Sequence, residues 1–327
     1  MKVLVVGGAG YIGSHCVKHL LRHGHEAVIM DNFSTGHRQV ACGARSVEGD
    51  LRSRADCRSA LAADDFDVVM HFAAFCYVGE SVKDPAKYYE NNVVGTYYLL
   101  DAMREAGIER FVFSSSCATF GVPDRVPIDE DLPQRPVNPY GRTKLMVERM
   151  LEDFRHAYGL GYAALRYFNA AGADPDGELG EDHRPETHLI PNVILKALGR
   201  KEELVIFGDD YPTPDGACIR DDIHVNDLAE AHRLAMEKLA PGRSIVLNLG
   251  NGSGYSNLEV VRCVEEVAGG RIDYRIGPRR EGDPPRLVAD STRAHEQLGW
   301  HPRFPELKSI VSTAFEWFRT HPEGYAD

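Results

Sequence analysis

No run of about 20 apolar residues, the length a membrane-spanning helix needs, occurs in the sequence, so no transmembrane segment is expected. The opening stretch, Met1 to Gly7, holds too short an apolar run for a secretory signal. The seven cysteines, Cys16, Cys42, Cys57, Cys76, Cys117, Cys218 and Cys263, form no C-x-x-C pair and are odd in number. Neither a zinc site nor a disulfide framework is expected from them, and no metal is assigned. Reduced thiols are expected, which fits a cytoplasmic protein. No basic cluster is longer than two residues, as at Arg279-Arg280, and the net charge is −12. A nucleic-acid track is therefore not expected. Internal repeats and low-complexity segments are also lacking. What remains is ordinary for a globular chain: 327 residues, 43% hydrophobic and 26% charged. That length fits one large α/β unit or two packed domains with a sizeable core.

Short apolar runs alternate with helical segments along the first half. Val3–Val6, Ala27–Met30, Asp67–Phe72, Arg110–Ser115 and Tyr162–Phe168 read as buried strands. Helices are predicted from Tyr11 to His23, Pro85 to Ala106 and about Pro139 to Tyr158. This alternation predicts a doubly wound parallel sheet with a smaller C-terminal α/β substrate domain. Gly, Pro, Asp and Glu cluster from Gly172 to Pro185, a crossover into the second region. There, a helix Pro191–Leu198 and a strand Leu204–Phe207 are predicted. A helix Asn226–Leu239 and a strand Ser244–Leu249 are expected to rejoin the first sheet. The division becomes 1–169 with 221–250 for a nucleotide, and 170–220 with 251–327 for a substrate. Val93, Val94, Tyr97, Tyr98, Leu99, Leu100 and Met103, and Leu145, Met146, Met150, Leu151 and Phe154, exceed one apolar stripe per helix. The excess suggests a homodimer through paired helices; deep burial is the alternative.

Gly7-Gly8-Ala9-Gly10-Tyr11-Ile12-Gly13 follows a strand and opens a helix. In that context small residues let the backbone approach a pyrophosphate, and the helix N-terminus supplies amide donors, as in a Rossmann fold. Asp31, eighteen residues after Gly13, ends the second strand. A carboxylate there binds ribose hydroxyls and repels a 2′-phosphate, favouring NAD over NADP. Asn32 adjoins it, and Asp50-Leu51 is placed to reach the adenine edge.

Tyr140 and Lys144 form a Y-x-x-x-K pair just inside a helix, on one face. A cation about 5 Å away at an effective dielectric of about 20 is worth about 3 kcal/mol. That corresponds to roughly two pKa units, and a positive nicotinamide would push the same way, the two together lowering the phenol toward use as a base. Ser114, Ser115 and Ser116 end a strand 24 residues before Tyr140, where α/β sheets bind ligands.

With these residues the chain resembles the extended short-chain dehydrogenases/reductases, and within them the UDP-glucose 4-epimerases. Likeness extends through HFAA (His71–Ala74), VGES (Val78–Ser81), YYENNVVGT (Tyr88–Thr96), NPYGRTKLMVE (Asn138–Glu148) and RYFNAAGA (Arg166–Ala173). It continues through IFGDDYPTPDG (Ile206–Gly216), RDDIHVNDLA (Arg220–Ala229) and RREGDP (Arg279–Pro284). The resemblance implies an NAD-dependent isomerase acting on a UDP-hexose. Tyr140 would be the base, Ser116 its hydrogen-bonding partner, and Lys144 the holder of the nicotinamide ribose. Phe72, Ala73, Ala74, Asn91, Ser114 and Tyr167 would line the NAD site. Asn169, His188 and Leu189 would meet the diphosphate side, with Val205 and Phe207 flanking the uracil. Arg220 and Arg280 would bind the diphosphate and Asp283 the uridine ribose. The chain departs from the pattern at Val6, Cys76, Phe120 and Leu287, the last bearing on sugar choice. An epimerase for N-acetylated hexoses or pentoses, a sugar-nucleotide dehydratase and a non-catalytic NAD sensor stay as alternatives. Cys117-Ala118 after Ser116, in place of an Asp-Glu pair, argues against the dehydratase.

Overall fold

A computed structural model describes residues 1–280 and 283–325; Glu281 and Gly282 of the Arg279–Pro284 motif lie outside the described residues. The first half contains β1 (Lys2–Val6), α1 (Tyr11–Arg22), β2 (Glu26–Asp31), β3 (Arg45–Glu48), α2 (Arg54–Leu61) and β4 (Val68–His71). It continues with α3 (Val78–Lys83), α4 (Pro85–Tyr88), α5 (Thr96–Ala106), β5 (Arg110–Ser116), α6 (Pro139–Tyr158) and β6 (Gly161–Tyr167). Then come β7 (Asn169–Ala171), α7 (Leu189–Ala197), β8 (Val205–Phe207), β9 (Ile219–Arg220), β10 (Asp222–His224), α8 (Val225–Lys238) and β11 (Ser244–Leu249).

Seven strands pair in the order β11-β6-β5-β4-β1-β2-β3, all parallel. Parallel strands covered on both faces read as unbroken apolar runs, and Val3, Leu4, Val5, Val68, Val69 and Met70 are fully buried. Strand order reverses between β1 and β4, the switch point where such sheets open a crevice at their carboxyl ends. The Ser244–Leu249 strand forms the sheet edge beside β6. Three smaller sheets lie outside this one: β10 with β7, Tyr255–Ser256 with β9 and Arg286–Leu287, and Arg275–Gly277 with β8. Among the described residues no helix is long and apolar enough to cross a membrane.

The helix expected from Pro85 to Ala106 is interrupted. A π-helical turn, Tyr89–Gly95, separates α4 from α5. The wider turn buries both Asn91 and Asn92, at 8% and 3% exposure, which adjacent positions of a regular helix rarely share. Gly95 ends it where a Cβ would meet Leu51 Cγ at 2.8 Å.

Candidate active site

β1 ends in a glycine turn that passes under the loop after β4. Gly7 has φ +80°, and a Cβ on it would stand 2.4 Å from the Ala73 nitrogen. A Cβ on Gly13 would stand 2.2 Å from the Gly7 carbonyl oxygen. Gly10 is different: a Cβ there meets only that same oxygen, at 3.5 Å, so it opens on free space. Gly10 caps α1 without a side-chain bond, and the first turn holds no acidic residue. The first amides of α1, at Tyr11 and Ile12, are thus left for an anion. The residues present therefore fit a dinucleotide pyrophosphate. Asp31 buttresses the loop, accepting from the amides of Ala9 (3.0 Å) and Phe33 (2.9 Å). Asn32 donates to Asp50 at 3.0 Å. The Arg52 guanidinium clasps the Asp50 carboxylate and holds it well below the usual range. Leu51 is buried, so of that pair Asp50 alone offers a polar side chain. Phe72 and Ala73 donate their amides to Val6, and Ala74 follows half-buried. Asn91 donates to Asn92, which binds both polar backbone groups of Phe75. Asn92, which sequence reasoning passed over, ties the Phe72–Phe75 wall to Thr143 of α6. Gly7→Ala is expected to cost about 2 kcal/mol of stability, since the positive φ and a backbone contact both oppose a methyl group. Bound NAD after purification, read by absorbance, is expected to fall to a small fraction of wild type.

The catalytic candidates meet across the β5–α6 junction. Asn138 caps α6 by accepting from the Gly141 amide at 2.8 Å, and Pro139 presets the first turn. Gly141 allows close approach: a Cβ there would lie 2.4 Å from the Ala118 carbonyl oxygen. Tyr140 and Lys144 thereby face the end of β5. Lys144 Nζ donates to the Ser114 carbonyl at 2.8 Å and lies 5.8 Å from the Tyr140 ring centre. Ser114 Oγ and the Tyr167 hydroxyl share a hydrogen bond of 2.5 Å. Burial lowers Lys144 to about 8, against the pull of Cys76 and Glu148. The sequence expectation for Tyr140 is corrected here. Burial raises its phenol well above the ordinary value, Cys76 and Tyr167 add to this, and the Ser116 hydroxyl offsets it only in part. Lys144 points its charge at the Ser114 carbonyl and does not by itself bring the phenol toward neutrality. A further cation at the phenol is needed for that.

The second region brings part of the substrate set together. Arg220 pairs with Asp283, and Arg280 lies over the Phe207 ring at 4.2 Å. Val205 and Phe207 are the two ends of β8. Leu189 is the first residue of α7, behind the cap His188. Asn169, His188 and Arg220 all act on Asp222, a buried carboxyl that sequence reasoning missed. Burial raises Asp222 to about 7. His188 contacts two glutamates: burial opposes its charge, but Glu181 and Glu186 together raise it to about 9. Cys76, on the loop after β4, is a free, surface-exposed thiol. Phe120 is buried, and Leu287 lies beside Arg220 in register.

A glycine loop at the switch point of a parallel sheet, with a Tyr–Lys pair facing a strand-end serine, defines a short-chain dehydrogenase/reductase architecture. The chain belongs to the NAD dependent epimerase/dehydratase family, whose model matches residues 3–250. A UDP-glucose 4-epimerase of Halalkalibacterium halodurans is 50% identical over 327 residues, covering 100% of this chain and 98% of its own. The crystal structure of a UDP-glucose 4-epimerase from Brucella ovis in complex with NAD has 52% identity and a TM-score of 0.93, covering 97% of this chain and 98% of its own. That of the Bifidobacterium longum UDP-glucose 4-epimerase, in complex with NAD+ and UDP, has 37% identity and a TM-score of 0.96, covering 99% and 100%.

Proposed function

We propose that this protein is a UDP-glucose 4-epimerase, interconverting UDP-galactose and UDP-glucose with a tightly held NAD. The observation that carries the reading is the placement of Tyr140 and Lys144 on one face of α6, opposite Ser114 and Ser116 at the end of β5. Full-length likeness to proteins of that name supports the substrate.

The glycine turn from Gly7 to Gly13 would hold the pyrophosphate, Asp31 the adenosine ribose, and Asn32, Asp50 and Leu51 the adenine side. Phe72, Ala73, Ala74, Asn91, Ser114 and Tyr167 would line the nicotinamide half, and Lys144 its ribose. When bound, NAD would supply reversible hydride acceptance at C4 of the sugar, by way of a 4-keto sugar, and its positively charged nicotinamide would supply the cation that lowers the Tyr140 phenol. Tyr140 takes the proton of the 4-hydroxyl and later gives it back, with Ser116 hydrogen-bonded to phenol and substrate. The chain must grip UDP firmly and the hexose loosely, so that the keto sugar can turn. Arg220 and Arg280 would hold the diphosphate as guanidinium forks do. Asn169, His188 and the N-terminus of α7 at Leu189 would add donors. Val205 and Phe207 would flank the uracil, and Asp283, on Arg220, its ribose. In this reading residues 1–169 with 221–250 serve NAD, and 170–220 with 251–327 serve the UDP-sugar.

A homodimer is part of the proposal. Val94 of the π turn, Tyr97 of α5 and Met146 of α6 leave 39%, 38% and 43% of their surface exposed, and α5 packs on α6, so paired helices of a second copy would cover apolar surface. The free cysteines fit a cytoplasmic location. The test is incubation of purified protein with UDP-galactose, followed by chromatography. UDP-glucose formed without added NAD supports the reading. Conversion of only an N-acetylated sugar or a pentose would move the substrate, and no conversion of any UDP-sugar with NAD supplied would overturn it.

A further inference from the structure

The crossover between β7 and α7 carries Glu181, His183, Glu186 and His188 in the pattern E-x-H-x-x-E-x-H. Cysteine spacing predicts no metal site, and of these four residues the sequence marks only His188, for the diphosphate. The fold gathers one donor atom from each residue, all within 4.8 Å of one another. His183 Nδ1 lies 2.9 Å from Glu181 Oε1 and 3.8 Å from Glu186 Oε2. His188 Nδ1 converges on the same Glu181 oxygen and lies 3.6 Å from Glu186 Oε1. Donors about 2.0–2.2 Å from a tetrahedral ion stand roughly 3.3–3.6 Å apart, so small side-chain adjustments suffice.

The carboxylates of the cluster lie inside and one imidazole reaches the surface: the Glu181 and Glu186 side chains are 3% and 9% exposed, His183 18% and His188 46%. Glu186 Oε1 accepts from the amides of Thr187 and His188, at 2.6 and 2.7 Å, but Glu186 Oε2 has no hydrogen-bond partner. A buried carboxylate oxygen without a partner is costly unless a cation meets it. Among the described residues neither carboxylate has a lysine or arginine ion-pair partner; both face the two imidazoles.

We propose that Glu181, His183, Glu186 and His188 bind one divalent transition-metal ion, with zinc the best match. Two imidazoles and two carboxylates suit zinc and disfavour magnesium or calcium, which take oxygen donors. Four protein ligands close the coordination sphere, so the role is structural. The site lies where a staple would matter. The His183 ring meets Tyr11 and Tyr77 edge-on, at 6.2 and 6.3 Å between ring centres. Tyr11 begins α1 and donates to the Gly172 carbonyl at 2.6 Å. Trp317 Nε1 donates to the Glu181 carbonyl at 3.2 Å. The ion would thus hold the crossover between the glycine turn, the loop after β4 and the C-terminal helix Leu307–Thr320. This assignment does not rest on the epimerase reading.

The test is cobalt(II) titration of the full-length, NAD-containing protein after treatment with a chelator, read by visible absorption. About one equivalent per chain, giving the intense band of tetrahedral cobalt and displaced by zinc, is expected. Glu186→Gln keeps the side-chain shape and is expected to weaken binding by about tenfold or more, as is His183→Ala. His19→Ala, at the separate His19, His23 and Glu230 cluster, is expected to leave it unchanged. Circular dichroism and bound NAD report whether each variant is folded, and Glu186→Gln carries the test if His183→Ala is not. No tetrahedral spectrum, binding unchanged in Glu186→Gln, or loss of the band in His19→Ala would each overturn the proposal.

Discussion

Tyr140→Phe is expected to lower kcat for UDP-galactose by about 10³-fold, in the middle of the range for loss of a positioned acid–base group. The variant loses one hydroxyl and keeps the ring, so its packing beside Lys144 and Ser116 should survive. Bound NAD is expected to match wild type, because the glycine turn, Asp31 and Lys144 are untouched. The pH profile separates a base from a mere contact. A base works only when ionised, so wild-type rate should rise with pH and level off above the phenol's pKa in the holoenzyme. Burial, with Cys76 and Tyr167 adding to it, holds that phenol above its ordinary value. The rise should therefore sit near or below neutrality only if the nicotinamide cation lowers it. In Tyr140→Phe the rising limb should vanish along with most of the rate. Retention of the limb, with kcat within about tenfold of wild type, would remove Tyr140 from the role of base and leave Ser116 to be tested.

That behaviour of the phenol marks where sequence reading stops. The spacing of Tyr140 and Lys144 puts them on one face, and the boundaries Pro139 and Tyr158 agree with the structure because Asn138-Pro139 and Gly159 punctuate the chain. Strand Ser244–Leu249 was legible for the same reason: an apolar stretch between turns. Desolvation, however, depends on everything packed around a group, and no local pattern reports it. The π turn at Tyr89–Gly95 escaped because its residues suit a regular helix; burial of Asn91 and Asn92 decides it. Helix α7 begins at Leu189, two residues before Pro191, since proline fits within a first turn as well as at its start. Asp222 stands in β10 in register with Asn169 and within the electrostatic reach of His188, a pairing that no local pattern reports. Histidine–glutamate clusters are harder to read than cysteine pairs, because both residues are common on surfaces for unrelated reasons.

Glu148→Ala should produce the largest loss of stability, about 3–5 kcal/mol. Glu148 follows Lys144 by one helical turn and is nearly buried, with its side chain 8% exposed. Its carboxylate accepts from Arg166 Nε at 2.9 Å, a terminal Arg166 nitrogen at 2.7 Å, Ser115 Oγ at 2.5 Å and Gln134 Nε2 at 2.9 Å. These bonds pin α6 to β5 and β6 behind the catalytic pair. The Arg166 side chain is 7% exposed, and one of its nitrogens has no partner already. Removing the carboxylate strands that guanidinium inside the protein, which costs more than the pair itself is worth. The double variant Glu148→Ala/Arg166→Met takes away both charges and should recover part of the loss, giving, with the two single variants Glu148→Ala and Arg166→Met, a coupling energy of a few kcal/mol. Urea unfolding at one fixed NAD concentration measures all four corners of the cycle, since bound cofactor otherwise shifts the midpoint. The single variant should also unfold about 10 °C lower on heating. A loss below about 1 kcal/mol, or a double variant as unstable as Glu148→Ala, would mean that the buried charge does not set the stability of this helix. With the expected cycle, kcat should fall in Glu148→Ala and partly return in the double variant, because α6 carries Tyr140 and Lys144 wherever its anchor lets it sit.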